Sequence, residues 1–234
     1  MTFQYALFDL DGTISASAPG ITRSVQYALA AVGIDEPDLH NLESFVGPPL
    51  NVEFERRYHL DPETTEFAVS KYREYYTQQK AIFDCSLYPG TEHMLSACKN
   101  AGIRLAIASS KPQPFVIQIL ENFGILHYFD IVVGSMMHEE KGKAGTDQKT
   151  MLVKKALDQL RSPGGTDSTD EDRFRKGCAM IGDRSFDMIG ARENQVFALG
   201  VSFGYGSEEE LLSAGADRIA HSVKELEQIL TGQL

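Results

Sequence analysis

The sequence predicts an α/β fold: a parallel sheet covered by helices on both faces, with a helical unit inserted after the first strand. Short apolar runs at Tyr5 to Leu10, Leu105 to Ala108, Ile131 to Val133, Cys178 to Ile181 and Phe197 to Val201 have the length of buried strands. Helical periods lie between them: Phe115, Ile119, Leu120 and Phe123 share one face, as do Leu152, Ala156, Leu157 and Leu160. From Ser15 to about Cys85 no strand pattern occurs, and Val25, Leu29 and Val32 repeat with helical period. Strands that alternate with helices form a parallel sheet, whose ligands gather beyond the carboxyl ends of the strands.

In chain order, the first run is apolar up to Asp9, and the insert follows at once. Tyr88-Pro89-Gly90 marks the return to the α/β pattern with turn-forming residues. The core is therefore expected in residues 1–14 and 86–234, and the insert, lying over the strand ends, in residues 15–85. The second run leads into hydroxyls and a proline-marked helix start, the third into a lysine-containing stretch, and the fourth into a Gly-Asp turn. Ahead of that fourth run, Ser162 to Lys176 is polar and Gly-containing, and is expected to be a solvated loop.

Composition narrows the function classes. With 42% apolar and 24% charged residues the chain is ordinary for a globular protein, and 234 residues can build one large or two smaller cores. A formal charge of -11 repels polyanions, so nucleic acid is not an expected partner. No run approaches the ~18 apolar residues of a membrane helix, and the start carries no basic segment followed by a long apolar one. A cytoplasmic, soluble protein is expected. Cys85, Cys98 and Cys178 are widely spaced and fit neither a disulfide framework nor a zinc ribbon, so reduced, partly buried thiols are expected.

Chemistry-bearing residues sit where the runs end. Asp9 and Asp11, in Phe8-Asp9-Leu10-Asp11-Gly12-Thr13, are two apart and can converge on one point, holding a divalent cation or dividing nucleophilic and proton-transfer work. The same Asp-Gly also reads as a hairpin turn. Ser109 and Ser110, before Lys111-Pro112, can hold an anion at a helix start, or simply cap that helix. One of Lys141, Lys143 and Lys149 is the third element, ahead of the helix that holds Leu152, Leu157 and Leu160, and any of them alone reads as a surface charge. Gly182-Asp183-Arg184-Ser185-Phe186-Asp187 adds a third carboxylate at a strand end and a fourth in the first helical turn, positions that also suit helix capping. Jointly, a carboxylate pair, an anion-binding hydroxyl, a lysine and a further carboxylate at successive crossovers describe one site.

Asp9-Leu10-Asp11-Gly12-Thr13, Ser109, Lys149 and Gly182-Asp183 through Asp187 resemble, in order, the four motifs of the haloacid dehalogenase superfamily. Val46-Gly47-Pro48-Pro49-Leu50 and Gly200-Val201-Ser202-Phe203-Gly204-Tyr205-Gly206 are similar to its phosphoglycolate phosphatase branch, which carries a helical cap. The resemblance implies a Rossmann-like core with an all-helical cap, and a Mg2+-dependent phosphatase acting on a small phosphorylated metabolite. It implies that Asp9 attacks phosphorus, that Asp11 serves as acid and then base, and that Mg2+ is held by the Asp9 carboxylate, the Asp11 carbonyl and Asp183. Ser109, Ser110, Lys149 and Thr13 would hold phosphoryl oxygens, with Asp187 orienting the site from outside the metal's ligands. Two departures stand out: Ala16 occupies a position that is acidic in many relatives, and Lys141-Gly142-Lys143-Ala144-Gly145 lacks the prolines of one form of the third motif. Lys149 is favoured over Lys143 because Lys149 through Leu157 fits another form of that motif. Asp11 speaks for phosphate-ester chemistry over dehalogenation; a phosphosugar mutase and a catalytically idle phosphate-sensing scaffold are the alternatives.

Overall fold

The computed structural model describes residues 3–136, 145–161 and 168–234. Strand β1 (Tyr5–Phe8) is followed by β2 (Ser15–Ala16), helix α1 (Ala18–Ala31), a 3-10 segment at Leu39–Phe45, α2 (Leu50–Tyr58), α3 (Pro62–Gln78) and a 3-10 turn at Ala81–Phe83. The chain returns through β3 (Ser86–Leu87) to α4 (Thr91–Asn100), β4 (Arg104–Pro112), α5 (Gln113–Asn122), a 3-10 turn at Leu126–Tyr128 and β5 (Ile131–Ser135). Then come α6 (Gly145–Leu160), α7 (Ser168–Lys176), β6 (Cys178–Gly182), α8 (Ser185–Glu193), β7 (Phe197–Val201), α9 (Glu208–Ser213), β8 (Arg218–Ala220) and α10 (Val223–Leu230).

The principal sheet runs β5-β4-β1-β6-β7-β8, with every pairing parallel. Period-two alternation divides its side chains between two layers. Ala6 and Phe8 join Leu105, Ile107 and Ile181 against α4, α5 and α10, while Leu7 joins Ala106, Met180 and Ala198 against α6 and α8. Both faces of β1 are thus buried, which explains its unbroken apolar run. Chain order reverses about β1, with β4 on one side and β6 on the other, so the carboxyl end of β1 is the crevice where such sheets bind ligands.

All five expected strands are present, and β2 with β3 forms a short antiparallel ladder at the two ends of the helical insert. Ser162 to Lys176 differs from expectation: residues 162–167 lie outside the described residues, but Ser168–Lys176 is a helix, not a loop. Its first turn is acidic and its last turn basic, which complements the helix dipole. Glu171 pairs with Arg175 at 2.7 Å, Asp172 with Lys176 at 2.6 Å, and Phe174 packs edge-on against Tyr5. Cys85, Cys98 and Cys178 are free thiols, the last two buried. Among the described residues no helix is long and apolar enough to cross a membrane.

Candidate active site

The site forms where β1, β4 and β6 end. β1 stops at Phe8, and the chain folds back so that the Ile14 and Ser15 amides both donate to the Leu10 carbonyl at 3.0 Å. The turn requires Gly12: its φ is +85°, and a Cβ there would lie 2.1 Å from Asp183 Oδ2. Asp9 and Asp11 consequently occupy a tight turn and not a continuing strand, and their carboxylates meet different partners.

Asp9 faces Lys149. The Lys149 ammonium lies 2.9 Å from Asp9 Oδ1 and 2.8 Å from Asp187 Oδ1, and donates to the Ala108 carbonyl at 3.0 Å. Helix α6 begins at Gly145, so Lys149 lies inside it and not ahead of it. Only 2% of its surface is exposed, a state that a lysine sustains when its charge is paired. Burial alone would lower its pKa, but Asp187 and Asp9 outweigh burial and hold the ammonium charged. Lys141 and Lys143, the other candidates for this role, lie outside the described residues.

Asp183 follows β6, accepting the Tyr205 amide at 2.9 Å and the Thr13 hydroxyl at 3.3 Å. Asp187 sits in the first turn of α8 and accepts the Arg184 amide at 3.1 Å. Ligand oxygens of Asp9, Asp183 and Asp187 all lie within 4.8 Å of one another. Among the described residues, three buried carboxylates thus face one ammonium, leaving two negative charges to be balanced if all are ionised. Burial, together with repulsion from Asp187 and Asp9, drives the Asp183 pKa well above the usual carboxylate range. Burial likewise raises that of Asp187, against the opposing pull of Lys149. An oxygen-rich site with this excess of negative charge fits a hard divalent cation.

Asp11 turns the other way. Its Oδ2 lies 2.9 Å from the Lys111 ammonium, which also donates to the Tyr76 hydroxyl at 3.0 Å, whereas its buried Oδ1 has no hydrogen-bond partner among the described residues. Lys111 reaches this position because the β4 register shifts between Ser109 and Pro112, and such an irregularity re-aims the side chains beside it. Tyr76 comes from α3 in the helical insert, stacked on Tyr72 and edge-on to Phe115 of α5. Between these groups is a cavity of about 60 Å³, bounded by Asp11, Lys111, Phe45, Leu50, Tyr72 and Tyr76 among others.

Ser109 is 1% exposed, and its hydroxyl oxygen accepts the Lys111 amide at 3.3 Å. It does not cap α5, whose N-cap is Pro112. Ser110 lies on the cavity side. The structure therefore gathers Asp9, Thr13, Lys149, Asp183 and Asp187 into one contact network and brings Asp11, Ser109 and Ser110 to its edge. Lys111, Tyr76 and Tyr205 were not expected as site residues. Lys111 carried a signal, a lysine directly after the strand-end serines. Tyr76 carried none, because it is one aromatic among several on an amphipathic helix, and Tyr205 acts through its backbone.

Known proteins resemble this chain over most of its length. The family model described as Haloacid dehalogenase-like hydrolase matches residues 6–201. A 5'-nucleotidase of Pseudomonas aeruginosa is 36% identical over 96% of this chain and 94% of its own. Tyrosine-protein kinase PtkA of Mycobacterium tuberculosis is 31% identical over 97% of this chain and 72% of its own. A phosphoglycolate phosphatase of Neisseria meningitidis is 27% identical over 92% and 87%. Among solved structures, a predicted phosphatase from Clostridium acetobutylicum superposes with a TM-score of 0.85 at 41% identity, covering 99% of this chain and 100% of the other.

Proposed function

Because this chain belongs to the haloacid dehalogenase-like hydrolase family, we propose that it is a magnesium-dependent phosphatase that cleaves a small phosphate monoester through a phosphorylated Asp9. Membership and its phosphatase relatives make it a phosphoric monoester hydrolase. The observation that carries the finer reading is the convergence of the buried Asp9, Asp183 and Asp187 carboxylates around the single ammonium of Lys149 among the described residues. In this reading Mg2+ is held by the Asp9 carboxylate, the Asp11 carbonyl and Asp183, while Asp187 fixes Lys149. The ion would supply the positive charge that lets a carboxylate approach a phosphate dianion.

Lys149 orients the Asp9 carboxylate, one oxygen of which forms a bond to phosphorus as the bond from phosphorus to the alcohol oxygen breaks. Asp11 gives its proton to the departing alkoxide through the unpartnered Oδ1, with Oδ2 held by Lys111. Water then attacks phosphorus and loses its proton to Asp11, and the bond from phosphorus to Asp9 breaks, releasing phosphate. Ser109, Ser110, Lys149 and Thr13 hold the phosphoryl oxygens. Residues 15–85 act as a cap on a core made of 1–14 and 86–234, a division supported by the small β2–β3 ladder at the junction. The names of the relatives support a nucleoside 5'-monophosphate or a phosphorylated hydroxy acid as substrate, and a screen ranking 5'-AMP, phosphoglycolate and sugar phosphates by kcat/KM decides among them.

Adding Mg2+ is expected to raise the thermal midpoint, because the cation relieves the repulsion that destabilises ionised Asp183. Binding at a hundredfold excess over Kd adds about 2.7 kcal/mol of stability. Asp183→Asn should lose both that increment and turnover. Undiminished activity in excess chelator, with no change in midpoint, would refute the metal assignment.

Asp11→Asn is expected to slow hydrolysis of an alkyl phosphate by ~10^2 to 10^4, the usual worth of proton transfer. The deficit should be much smaller for p-nitrophenyl phosphate, whose leaving group scarcely needs a proton. Equal deficits on the two substrates would remove Asp11 from the acid role.

A further inference from the structure

One contact between core and helical insert has no part in the chemistry above. Arg184 follows Asp183, and its side chain reaches two other partners: Nη1 donates to the Val46 carbonyl at 2.9 Å and Nε donates to Glu210 Oε1 at 3.1 Å. Glu210 is itself anchored, accepting the Ser185 amide at 2.8 Å through the same oxygen. Burial would raise the Glu210 pKa, but the Ser185 amide and Arg184 outweigh it and keep the carboxylate ionised. The Arg184 stem packs against Gly47, where φ is +102° and a Cβ would come 3.3 Å from Arg184 Cγ. Gly47 therefore meets two demands at once, a left-handed backbone and a close arginine.

Val46 is not an arbitrary anchor. It is buried, and its neighbours Phe45, Gly47, Pro48, Pro49 and Leu50 line the cavity that also holds Asp11 and Lys111. We propose that Arg184 is a positioning residue for the substrate: held by Glu210, it fixes residues 45–50 over Asp11 and so shapes the leaving-group side of the cavity without touching the phosphate. The planar guanidinium suits this work, since one rigid fork spans a core carboxylate and an insert carbonyl. The inference rests on the reading of this cavity as the place of the leaving group.

The test separates the leaving group from the phosphate. KM is measured for 5'-AMP or phosphoglycolate, whichever is turned over faster, beside the inhibition constant of inorganic phosphate, which has no leaving group. Arg184→Ala should raise KM roughly tenfold, the cost of a lost charge-assisted hydrogen bond, and leave phosphate inhibition within about twofold. Arg184→Lys should recover part of the loss, and Glu210→Gln should act in the same direction more weakly. The double variant Arg184→Ala with Glu210→Ala should be no worse than Arg184→Ala alone, because the two residues act as a unit. Hydrogen exchange in residues 45–50 should quicken in each variant that raises KM. An unchanged KM, a parallel rise in the phosphate inhibition constant, or additive losses would each overturn the proposal. If Arg184→Ala does not fold, Arg184→Lys and Glu210→Gln carry the same comparison. Asp9→Asn in the same assay tests the underlying reading: turnover by that variant would remove both, whereas its inactivity together with an unchanged KM in the Arg184 variants would remove the Arg184 proposal alone.

Discussion

Asp9→Asn is expected to fold as the parent does and to lose turnover by at least ~10^4-fold, on the scale seen when a nucleophile that acts with its partners is removed. The amide has the size of the carboxylate but lacks the anionic oxygen that must bond to phosphorus. Folding should survive because Asp9 is one of three mutually repelling acids, and Lys149 retains Asp187 and the Ala108 carbonyl when Asp9 is neutralised. Thermal unfolding together with phosphate release checks both parts. A folded variant with turnover near that of the parent would show that Asp9 is not the nucleophile.

Lys149→Ala is the second large effect, and it should differ in kind. Removal of this ammonium takes away the charge that bridges Asp9 and Asp187 at 2.9 and 2.8 Å, and leaves three buried carboxylates with no lysine between them among the described residues. Breaking a buried ion pair from one side costs about 3–5 kcal/mol, so the variant should be clearly less stable, and Mg2+ should restore part of the loss. KM should rise and kcat should fall together, since the lysine both orients the nucleophile and stabilises charge on the phosphoryl group. Lys141→Ala and Lys143→Ala should stay within a few-fold of the parent, because the third motif is assigned to Lys149 and not to either of them. Steady-state kinetics on the three variants decides the matter: a far larger deficit for Lys143→Ala than for Lys149→Ala, with both folded, would transfer the role to Lys143.

Much of this was legible in the sequence because β1, β4 and β6 are short and apolar at their cores and run directly into their chemical groups. Asp9 and Asp183 follow β1 and β6, and Ser109 lies in the last part of β4, as the alternation of apolar runs and helical periods implies. What was not legible depends on where side chains point. Asp9 and Asp11 read as a converging pair, but the turn at Gly12 sends Asp9 to Lys149 and Asp11 to Lys111, so the acids that cluster are Asp9, Asp183 and Asp187. Asp183 also fills the space that a Cβ at Gly12 would need, and it lies 171 residues beyond Gly12 in numbering, invisible to local spacing. The helix at Ser168–Lys176 was hidden by the Gly-containing residues ahead of it, and its charge pairs at spacing four were the available signal. β8, three residues long, is too short for any periodicity to mark. The links from Tyr76 to Lys111 and from Arg184 to Val46 join segments far apart in sequence, and only the fold brings them together.

The most direct test of the central claim is to trap the covalent intermediate. Enzyme turning over its best phosphate ester with Mg2+ is quenched in acid, treated with borohydride and digested, and the peptide that holds Asp9 is weighed. A phosphorylated aspartate is reduced to homoserine, so the account predicts that conversion at Asp9, only when substrate is present, and none in Asp9→Asn. An Asp9 peptide left unmodified under conditions of rapid turnover, or homoserine found at Asp11 instead, would contradict it.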